Sequence, residues 1–139
     1  MTSTPVTLAE IGLIDIPEII DARGKLIHAE IDQVLPFIAR RFFVIYDVPD
    51  TEVRGQHAHR ELIEFVVAVK GSVKVEIDDG HAKKQFVLDS PQKGLIIPPR
   101  FWRSLYEYTS DAILIVAAST KYNADDYIRD YDEYLAMIR

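Results

Sequence analysis

The sequence predicts an all-β protein, a jelly-roll barrel with a short helical segment at its C-terminus. Short runs rich in Val, Ile, Phe and Tyr recur along the chain, as is typical of strands in barrels and sandwiches. Turn residues separate these runs: Lys70-Gly71 and Asp79-Gly80 favour hairpins, and Pro98-Pro99 prevents continuation of a central strand. Short strands joined in this way form antiparallel sheets, and eight of them indicate a jelly roll.

The eight predicted strands are runs of five to eight residues. They are Lys25–Ile31, Arg41–Val48, Glu64–Lys70, Ser72–Asp78, Lys84–Leu88, Lys93–Ile97, Arg103–Tyr108 and Ala112–Ser119. No internal repeat, linker or low-complexity segment interrupts them. We therefore predict a single domain over residues 1–139.

The pattern changes at Asn123, which can cap a helix, and Asp125 and Asp126 suit a helix N-terminus. We predict a helix or two short helical turns from this point, with an aromatic and aliphatic stripe that serves packing. The residues that recur at helical spacing are Tyr127, Tyr131, Leu135 and Ile138.

The composition narrows the class of function. The chain has no cysteine, so disulfides, thiolate metal sites and thiol redox chemistry are excluded. Its formal net charge of −6 argues against nucleic-acid binding, which needs a basic face. The sequence has neither a secretory signal pattern nor a membrane span, so we expect a cytoplasmic protein that does not associate with membranes.

The most informative segment contains His57 and His59, separated by a single alanine. Side chains alternate between the faces of an extended strand, so the two imidazoles project to the same side, and the small Ala58 suits a packed opposite face. Glu64 and Gly71 follow at the spacing of the first cupin motif, HxH, four residues, Glu, six residues, Gly. The barrel is therefore predicted to be of the cupin type.

A metal is the first alternative for this segment, because the two histidines and the glutamate of that motif are ligands in metal cupins. The fourth ligand there is a histidine shortly after a proline turn, and this chain has Arg103 at that place. A guanidinium has no lone pair to donate and repels a divalent cation. We predict a site without metal and without cofactor.

Without a metal, the groups available are two imidazoles, a carboxylate and several arginines. Histidine is a natural general base for removing a proton next to a carbonyl, and arginine binds phosphate or stabilises an enolate. The pattern therefore predicts isomerisation of an anionic substrate. The candidate arginines are Arg23, Arg41, Arg54 and Arg103; for Arg41 and Arg54, surface ion pairs with nearby acids are the alternative.

Four motifs in order give the chain a family resemblance. They are Arg41-Phe42-Phe43-Val44-Ile45-Tyr46-Asp47-Val48-Pro49, Arg54-Gly55-Gln56-His57-Ala58-His59, Gly94-Leu95-Ile96-Ile97-Pro98-Pro99 before Trp102, and Asp126-Tyr127-Ile128-Arg129-Asp130-Tyr131. Together they resemble the dTDP-sugar 3,4-ketoisomerases, with similarity from Gly24 to the C-terminus. Two departures are Glu64, where many relatives have glutamine, and Arg103, where many have histidine; an ion pair between the two is the structural alternative.

The resemblance implies a metal-independent cupin homodimer, often with an exchanged N-terminal strand. Its substrate is dTDP-4-keto-6-deoxy-D-glucose, and its 3-keto product is typically aminated by a PLP-dependent transferase on the way to surface glycans. The resemblance implies His59 as the base that moves a proton between C3 and C4 through an enediol, with His57 as partner acid or orienter.

The same resemblance supplies the binding residues. Arg41 and Arg54 are candidates for the diphosphate or the enolate oxygen, and Trp102 for a position beside the sugar or the base, with core packing as its alternative. Glu64 and Tyr46 complete the set of candidate substrate contacts.

In the family, arginine at the position of Arg23 goes with the galacto product and arginine at the position of Arg103 with the gluco product. This chain has both arginines, and we favour galacto. Three other functions stay open: a metal-dependent cupin enzyme, a sugar-nucleotide 3,5-epimerase, and a sugar-binding cupin without catalysis.

Overall fold

The computed structural model describes residues 3–139, which form an antiparallel barrel of two five-stranded sheets. The strands are β1 (Leu13–Asp15), β2 (Glu18–Asp21), β3 (Gly24–Ile27), β4 (Arg41–Tyr46), β5 (Arg54–His59), β6 (Glu64–Lys70), β7 (Val73–Asp78), β8 (Lys83–Leu88), β9 (Lys93–Ile97), β10 (Trp102–Tyr106), β11 (Ile113–Ala118) and β12 (Tyr127–Ile128). The first sheet has the order β1-β9-β6-β11-β4 and the second the order β12-β5-β10-β7-β8, while β2 and β3 form a separate hairpin. The predicted all-β jelly roll is confirmed.

The main core lies between the two sheets and follows from the alternation of side chains along each strand. On β6, Val66 and Ala68 face this core, whereas Phe65 and Val67 face outwards. The outward pair is buried by the segment that precedes β4, including Val34 and Phe37. Glu64 has the same parity as Val66, so the strand directs this carboxylate into the barrel.

A short helix covers the outer face of the second sheet. It is α1 (Tyr131–Ile138), and its buried Tyr134 packs in one cluster with Ala58, Trp102 and Ile128. The expectation that the face opposite the two histidines is packed is confirmed, because Ala58 is fully buried there. No helix between residues 3 and 139 has the length and apolar composition needed to span a bilayer.

The prediction of eight strands was incomplete. It omitted β1, β2 and β12, and it treated β5 as extended without counting it. These strands are only two to four residues long or, in β5, rich in residues of low strand propensity such as Gly and Gln. The first predicted strand was also too long, because β3 ends at Ile27 and Ile31 makes only an isolated bridge to Leu35.

The C-terminal segment differs in part from its prediction. The side chain of Asn123 accepts a hydrogen bond from the Asp125 amide at 3.0 Å, but the element that it caps is a 3₁₀ turn over Ala124–Asp126. The chain then extends as β12, beside β5, before α1 begins. The placement of Tyr127 on a helical stripe was therefore wrong, since pairing with β5 overrides the local periodicity.

Candidate active site

A cavity of about 240 Å³ opens between the two sheets, beside the end of β5. Its apolar wall is formed by Phe43, Ile45, Val66, Ile97, Leu105 and Val116, and its polar wall by Arg54, Gly55, His57, Glu64, Arg103, Tyr127 and Arg129. Arg54 and Arg129 are exposed and mark the mouth. The volume is below the roughly 300–1,000 Å³ of pockets that enclose whole drug-sized ligands, so the cavity has room for only part of a ligand of that size.

A β-bulge in β5 sets the direction of the first histidine. Gly55 and Gln56 have positive φ angles of 83° and 49°, and the register with β10 shifts at this point. A Cβ on residue 55 would lie 3.1 Å from the carbonyl oxygen of Arg103, so glycine suits both the backbone angle and the space. The carbonyl of Gly55 then lies 2.9 Å from His57 Nδ1.

His57 and His59 form a dyad with Nε2 facing Nε2 at 3.2 Å. His57 is half-buried and lines the cavity, whereas His59 is fully buried. The Nδ1 of His59 lies 3.0 Å from Asp126 Oδ2. The rings of both histidines contact Tyr127, with centroids 4.9 and 4.3 Å away. The histidine that faces the cavity is therefore His57. His59 lies on the far side of His57 from the cavity and contacts it through Nε2.

The environment of the dyad disfavours positive charge. Burial, followed by the charge of Arg103, lowers the pKa of His57 from 6.5 to about 4. Burial, then Arg103 and His57, lowers the pKa of His59 from 6.5 to about 2; the nearby carboxylate of Asp126 acts in the opposite direction. Both imidazoles are neutral at neutral pH, which is the form that accepts a proton.

The floor of the cavity is an ion pair between Arg103 and Glu64, with Arg103 Nη1 donating to Glu64 Oε1. The second terminal nitrogen of Arg103 donates to the carbonyl of Phe101 at 3.1 Å. The ion pair predicted as the structural alternative for these two residues is thus present. It also leaves the guanidinium inside the barrel, close enough to lower the pKa of both histidines.

The donor set for a metal is incomplete. Atoms of His57, His59 and Glu64 lie within 4.8 Å of one another, but the Glu64 carboxylate is engaged by Arg103. A divalent cation would have to displace that pair while remaining beside a fixed positive charge. These residues do not fit a cupin metal centre.

Two predicted arginines lie close to the cavity. Arg54 is at the mouth. Arg41, on the inward face of β4, is half-buried, and its guanidinium lies 5.2 Å from the Phe43 ring and 5.7 Å from the Tyr122 ring. Within residues 3–139, Nε and Nη2 of Arg41 are buried with no hydrogen-bond partner. These two nitrogens can donate hydrogen bonds to a bound anion.

Three other predicted residues lie outside the cavity of this chain. Trp102 faces α1, with its ring centroid 5.1 Å from that of Tyr131. Tyr46 lies on the outward face of β4 and is 62% exposed. Arg23 lies between β2 and β3, bonds Asp21 at 2.7 Å and has a side chain that is 90% exposed. The fold therefore gathers His57, Glu64, Arg103, Arg54 and, behind them, His59.

The comparisons with known proteins agree with this arrangement. Residues 9–139 match the family model described as FdtA, WxcM-like, C-terminal. A TDP-4-oxo-6-deoxy-alpha-D-glucose-3,4-oxoisomerase from Aneurinibacillus thermoaerophilus is 38% identical over 91% of each chain. The chain belongs to the sugar 3,4-ketoisomerase family. The family predicted from the four motifs is confirmed.

Two solved structures of ketoisomerases are also similar throughout. A 3,4-ketoisomerase from Helicobacter canadensis has a TM-score of 0.90 at 36% identity, covering 93% of this chain and 97% of its own. A histidine-to-asparagine mutant of the 3,4-ketoisomerase QdtA from Thermoanaerobacterium thermosaccharolyticum, in complex with TDP-4-keto-6-deoxyglucose, has a TM-score of 0.90 at 32% identity and covers 95% and 96%.

In this ketoisomerase-family chain, sequence reasoning missed three residues of the site: Asp126, Tyr127 and Arg129. They come from the C-terminal segment, which returns to pair with β5 through Tyr127 and Ile128. Arg129 Cζ lies 4.1 Å from the centroid of the Tyr127 ring. The sequence signal was present, because these residues belong to the fourth family motif. The helical spacing instead assigned Tyr127 to packing and Asp126 to a helix N-terminus, and Arg129 was given no role in the site.

Proposed function

We propose that this chain is a sugar-nucleotide 3,4-ketoisomerase that converts dTDP-4-keto-6-deoxy-D-glucose into a dTDP-3-keto-6-deoxyhexose. The observation that carries the proposal is a neutral histidine dyad whose His57 lines a cavity with arginines at its mouth, in a chain of the ketoisomerase family. Cytoplasmic residence remains a prediction, which cell fractionation tests.

The reaction needs proton transfers only. A base removes the proton from C3, next to the C4 carbonyl, and the C–H electron pair forms the C3=C4 bond of an enediol. A proton is returned to C4, the C3 hydroxyl loses its proton and becomes the carbonyl, and the former carbonyl oxygen gains one. Atoms and electrons balance within the sugar, so no cofactor is required.

We assign the C3–C4 proton transfer to His57, which revises the role given to His59 from sequence. His57 lines the cavity, whereas His59 is fully buried with one nitrogen near Asp126 and the other near His57. A general base must lie within hydrogen-bond reach of the proton that it removes. The buried imidazole of His59 supports the transfer through His57.

The cations around the cavity suit an anionic substrate. Arg54 and Arg129 lie at the mouth, where we propose that they bind the diphosphate. Arg41, with two buried nitrogens free of partners among the described residues, is a further ligand for a phosphate or an enolate oxygen. The enclosed part of the substrate is the sugar ring.

For the configuration at C4 we propose the galacto product. Of the two arginines in the stereochemical argument, Arg103 is engaged by Glu64 and by the carbonyl of Phe101. Arg23 is exposed at the tip of a hairpin, and its ion pair with Asp21 is exposed to solvent. Because an exposed pair is weak, Arg23 is the arginine that can exchange its partner for a substrate group.

We also propose that the chain is a homodimer that exchanges its N-terminal hairpin. Ile19, Ile20 and Leu26 of the β2–β3 hairpin are more than half exposed, and so are Phe42 and Tyr46 on the outer face of β4. Among residues 3–139, β4 pairs only with β11, which leaves a free strand edge. A hairpin laid against β4 of a second copy covers both apolar surfaces and carries Arg23 toward the other cavity.

Mixed dimers test the exchange. Arg23→Ala and His57→Asn subunits, each with low activity alone, are mixed under conditions that allow subunits to exchange. If Arg23 completes the partner's site, half of the dimers gain one intact site of two, which restores about a quarter of wild-type activity. No recovery, or a monomer by analytical ultracentrifugation, would contradict the exchanged dimer.

The deciding experiment for the activity uses chelator-treated protein, dTDP-4-keto-6-deoxy-D-glucose and deuterated buffer, followed by NMR. We expect a 3-keto sugar with deuterium at C4. A parallel reaction in ordinary water, where C4 carries a proton, should give the H4–H5 coupling of the galacto configuration. Exchange at C5 as well as C3 would indicate a 3,5-epimerase. Binding without turnover would indicate a non-catalytic cupin, and activity only with added metal would indicate the metal-dependent alternative.

A further inference from the structure

Asp126 connects the C-terminal segment to the buried side of the histidine dyad. Its side chain is 11% exposed. Oδ2 lies 3.0 Å from His59 Nδ1, Oδ1 accepts the Glu61 amide at 2.8 Å, and Oδ2 also accepts the Leu62 amide at 3.4 Å. Two backbone donors thus fix the orientation of this carboxylate independently of its contact with the histidine.

The two ends of the dyad determine where its protons lie. An ionised carboxylate only accepts hydrogen bonds, as does a backbone carbonyl. The Nδ1 of His59 must therefore donate to Asp126, and the Nδ1 of His57 must donate to the carbonyl of Gly55. In a neutral imidazole the other nitrogen then carries a lone pair, so two Nε2 lone pairs face each other across 3.2 Å.

We propose that Asp126 is a positioning residue that holds His59 in the tautomer with Nδ1 protonated. The Nε2 lone pair of His59 then points toward Nε2 of His57. A proton accepted by His57 from the substrate then lies between two nitrogen acceptors. This proton removes the repulsion between the two Nε2 lone pairs.

The charges around the dyad explain why a carboxylate is needed there. The cations Arg103, Arg41 and Arg129 all disfavour an added proton on the pair. The carboxylate of Glu64 is already paired with Arg103. Asp126 is the carboxylate in direct contact with an imidazole, and its charge stabilises the protonated dyad.

Asp126→Asn makes a specific prediction about the tautomer. The Asn oxygen keeps the shorter bond, from the Glu61 amide at 2.8 Å, so the NH₂ group takes the place of Oδ2 and gives up the longer bond from the Leu62 amide at 3.4 Å. This NH₂ group faces His59 Nδ1 and requires an acceptor there. The proton of His59 moves to Nε2 and points at the lone pair of His57, which blocks the base. Asp125→Asn is the matched control, since Asp125 is an exposed neighbour with the same charge in the same turn.

The tautomer is measured without substrate, by ¹⁵N NMR of histidine-labelled, chelator-treated protein, with the His59 signals assigned from their loss in His59→Gln. We expect protonated Nδ1 in the wild type and in Asp125→Asn, and protonated Nε2 in Asp126→Asn. A wild-type His59 protonated at Nε2 overturns the proposal. This wild-type measurement decides the matter even if Asp126→Asn fails to fold.

The kinetic part rests on the proposed function. We expect kcat of Asp126→Asn to fall about a hundredfold or more, as when an orienting carboxylate is lost, with KM nearly unchanged and partial recovery in Asp126→Glu. An unchanged kcat in a variant with the altered tautomer overturns the positioning role. A wild type with the expected tautomer but no turnover refutes the ketoisomerase function and leaves the assignment of the tautomer standing.

Discussion

Arg103 and Glu64 join β10 to β6 through an ion pair at the floor of the cavity, where their side chains are 1% and 9% exposed. Burial lowers the pKa of the guanidinium and the carboxylate raises it. Glu64 therefore keeps a cation in place inside the barrel, where it is shielded from solvent. That cation in turn helps to keep the two histidines neutral.

Removing one member of this pair should be strongly destabilising. Arg103→Met leaves the Glu64 carboxylate buried without its partner, for which we expect a loss of about 3–5 kcal/mol in the free energy of unfolding. Urea unfolding measures it. The control is Lys83→Met, which breaks the more exposed pair with Glu76 at 3.7 Å and should change stability by less than about 1 kcal/mol.

The double variant Glu64→Leu, Arg103→Met should recover much of the lost stability, because two buried charges are then replaced by apolar side chains. If Arg103→Met lowered the free energy of unfolding no more than Lys83→Met does, water would reach the Arg103–Glu64 pair more readily than its burial indicates.

Replacing the histidine that faces the cavity should abolish chemistry and preserve binding. For His57→Asn we expect at least about a hundredfold loss of kcat, loss of deuterium exchange at C3, and a dissociation constant for the nucleotide sugar within about twofold of wild type by calorimetry. His81→Asn, an exposed histidine in a turn, is the control. Normal exchange in His57→Asn, with loss in His59→Asn, would return the base to His59.

The pH dependence follows from the lowered pKa of His57, about 4, which is caused first by burial and then by Arg103. The neutral base persists well below the ordinary histidine range, so kcat/KM should show no acid limb between about pH 6 and 7 and should decline only toward pH 4. A limb near pH 6.5 that is absent in His57→Asn would contradict the lowered pKa of His57.

The same shift affects stability. Between about pH 6.5 and 4 the unfolded chain binds a proton at His57 and the folded chain does not, so stability must fall as the pH falls through this range. Above it, this histidine contributes no pH dependence. Urea unfolding at several pH values should show a shallower decline in His57→Asn than in the wild type.

The bulge in β5 should tolerate no side chain at position 55. Gly55→Ala places a Cβ at a φ of 83° and within 3.1 Å of the Arg103 carbonyl, for which we expect a loss of about 1–3 kcal/mol and a lower kcat from a displaced His57. Thermal unfolding and kinetics measure the two effects. Gly12→Ala is the matched control, because a Cβ there has no heavy atom of residues 3–139 within 4 Å beyond its chain neighbours. Equal stability of the two variants would mean that the bulge adapts.

Local pattern was enough to predict much of the fold. Alternating runs and turn residues predicted the longer strands, since both signals depend on residues adjacent in sequence. The same period of two placed His57 and His59 on one face with Ala58 on the other, and the structure has that arrangement. Short strands such as β1 and β12 carry too few residues for a period to be visible.

The sequence by itself determined the barrel, the histidine pair and the replacement of a metal ligand by Arg103, because each depends on residue type and near spacing. Only the tertiary structure decided which histidine faces the cavity, that Glu64 neutralises Arg103, and that Asp126 contacts His59. Those contacts join residues 39 and 67 positions apart. They exist because two sheets close on one another and the C-terminal segment returns to pair with β5, and such long-range closure leaves no periodic trace in a single sequence.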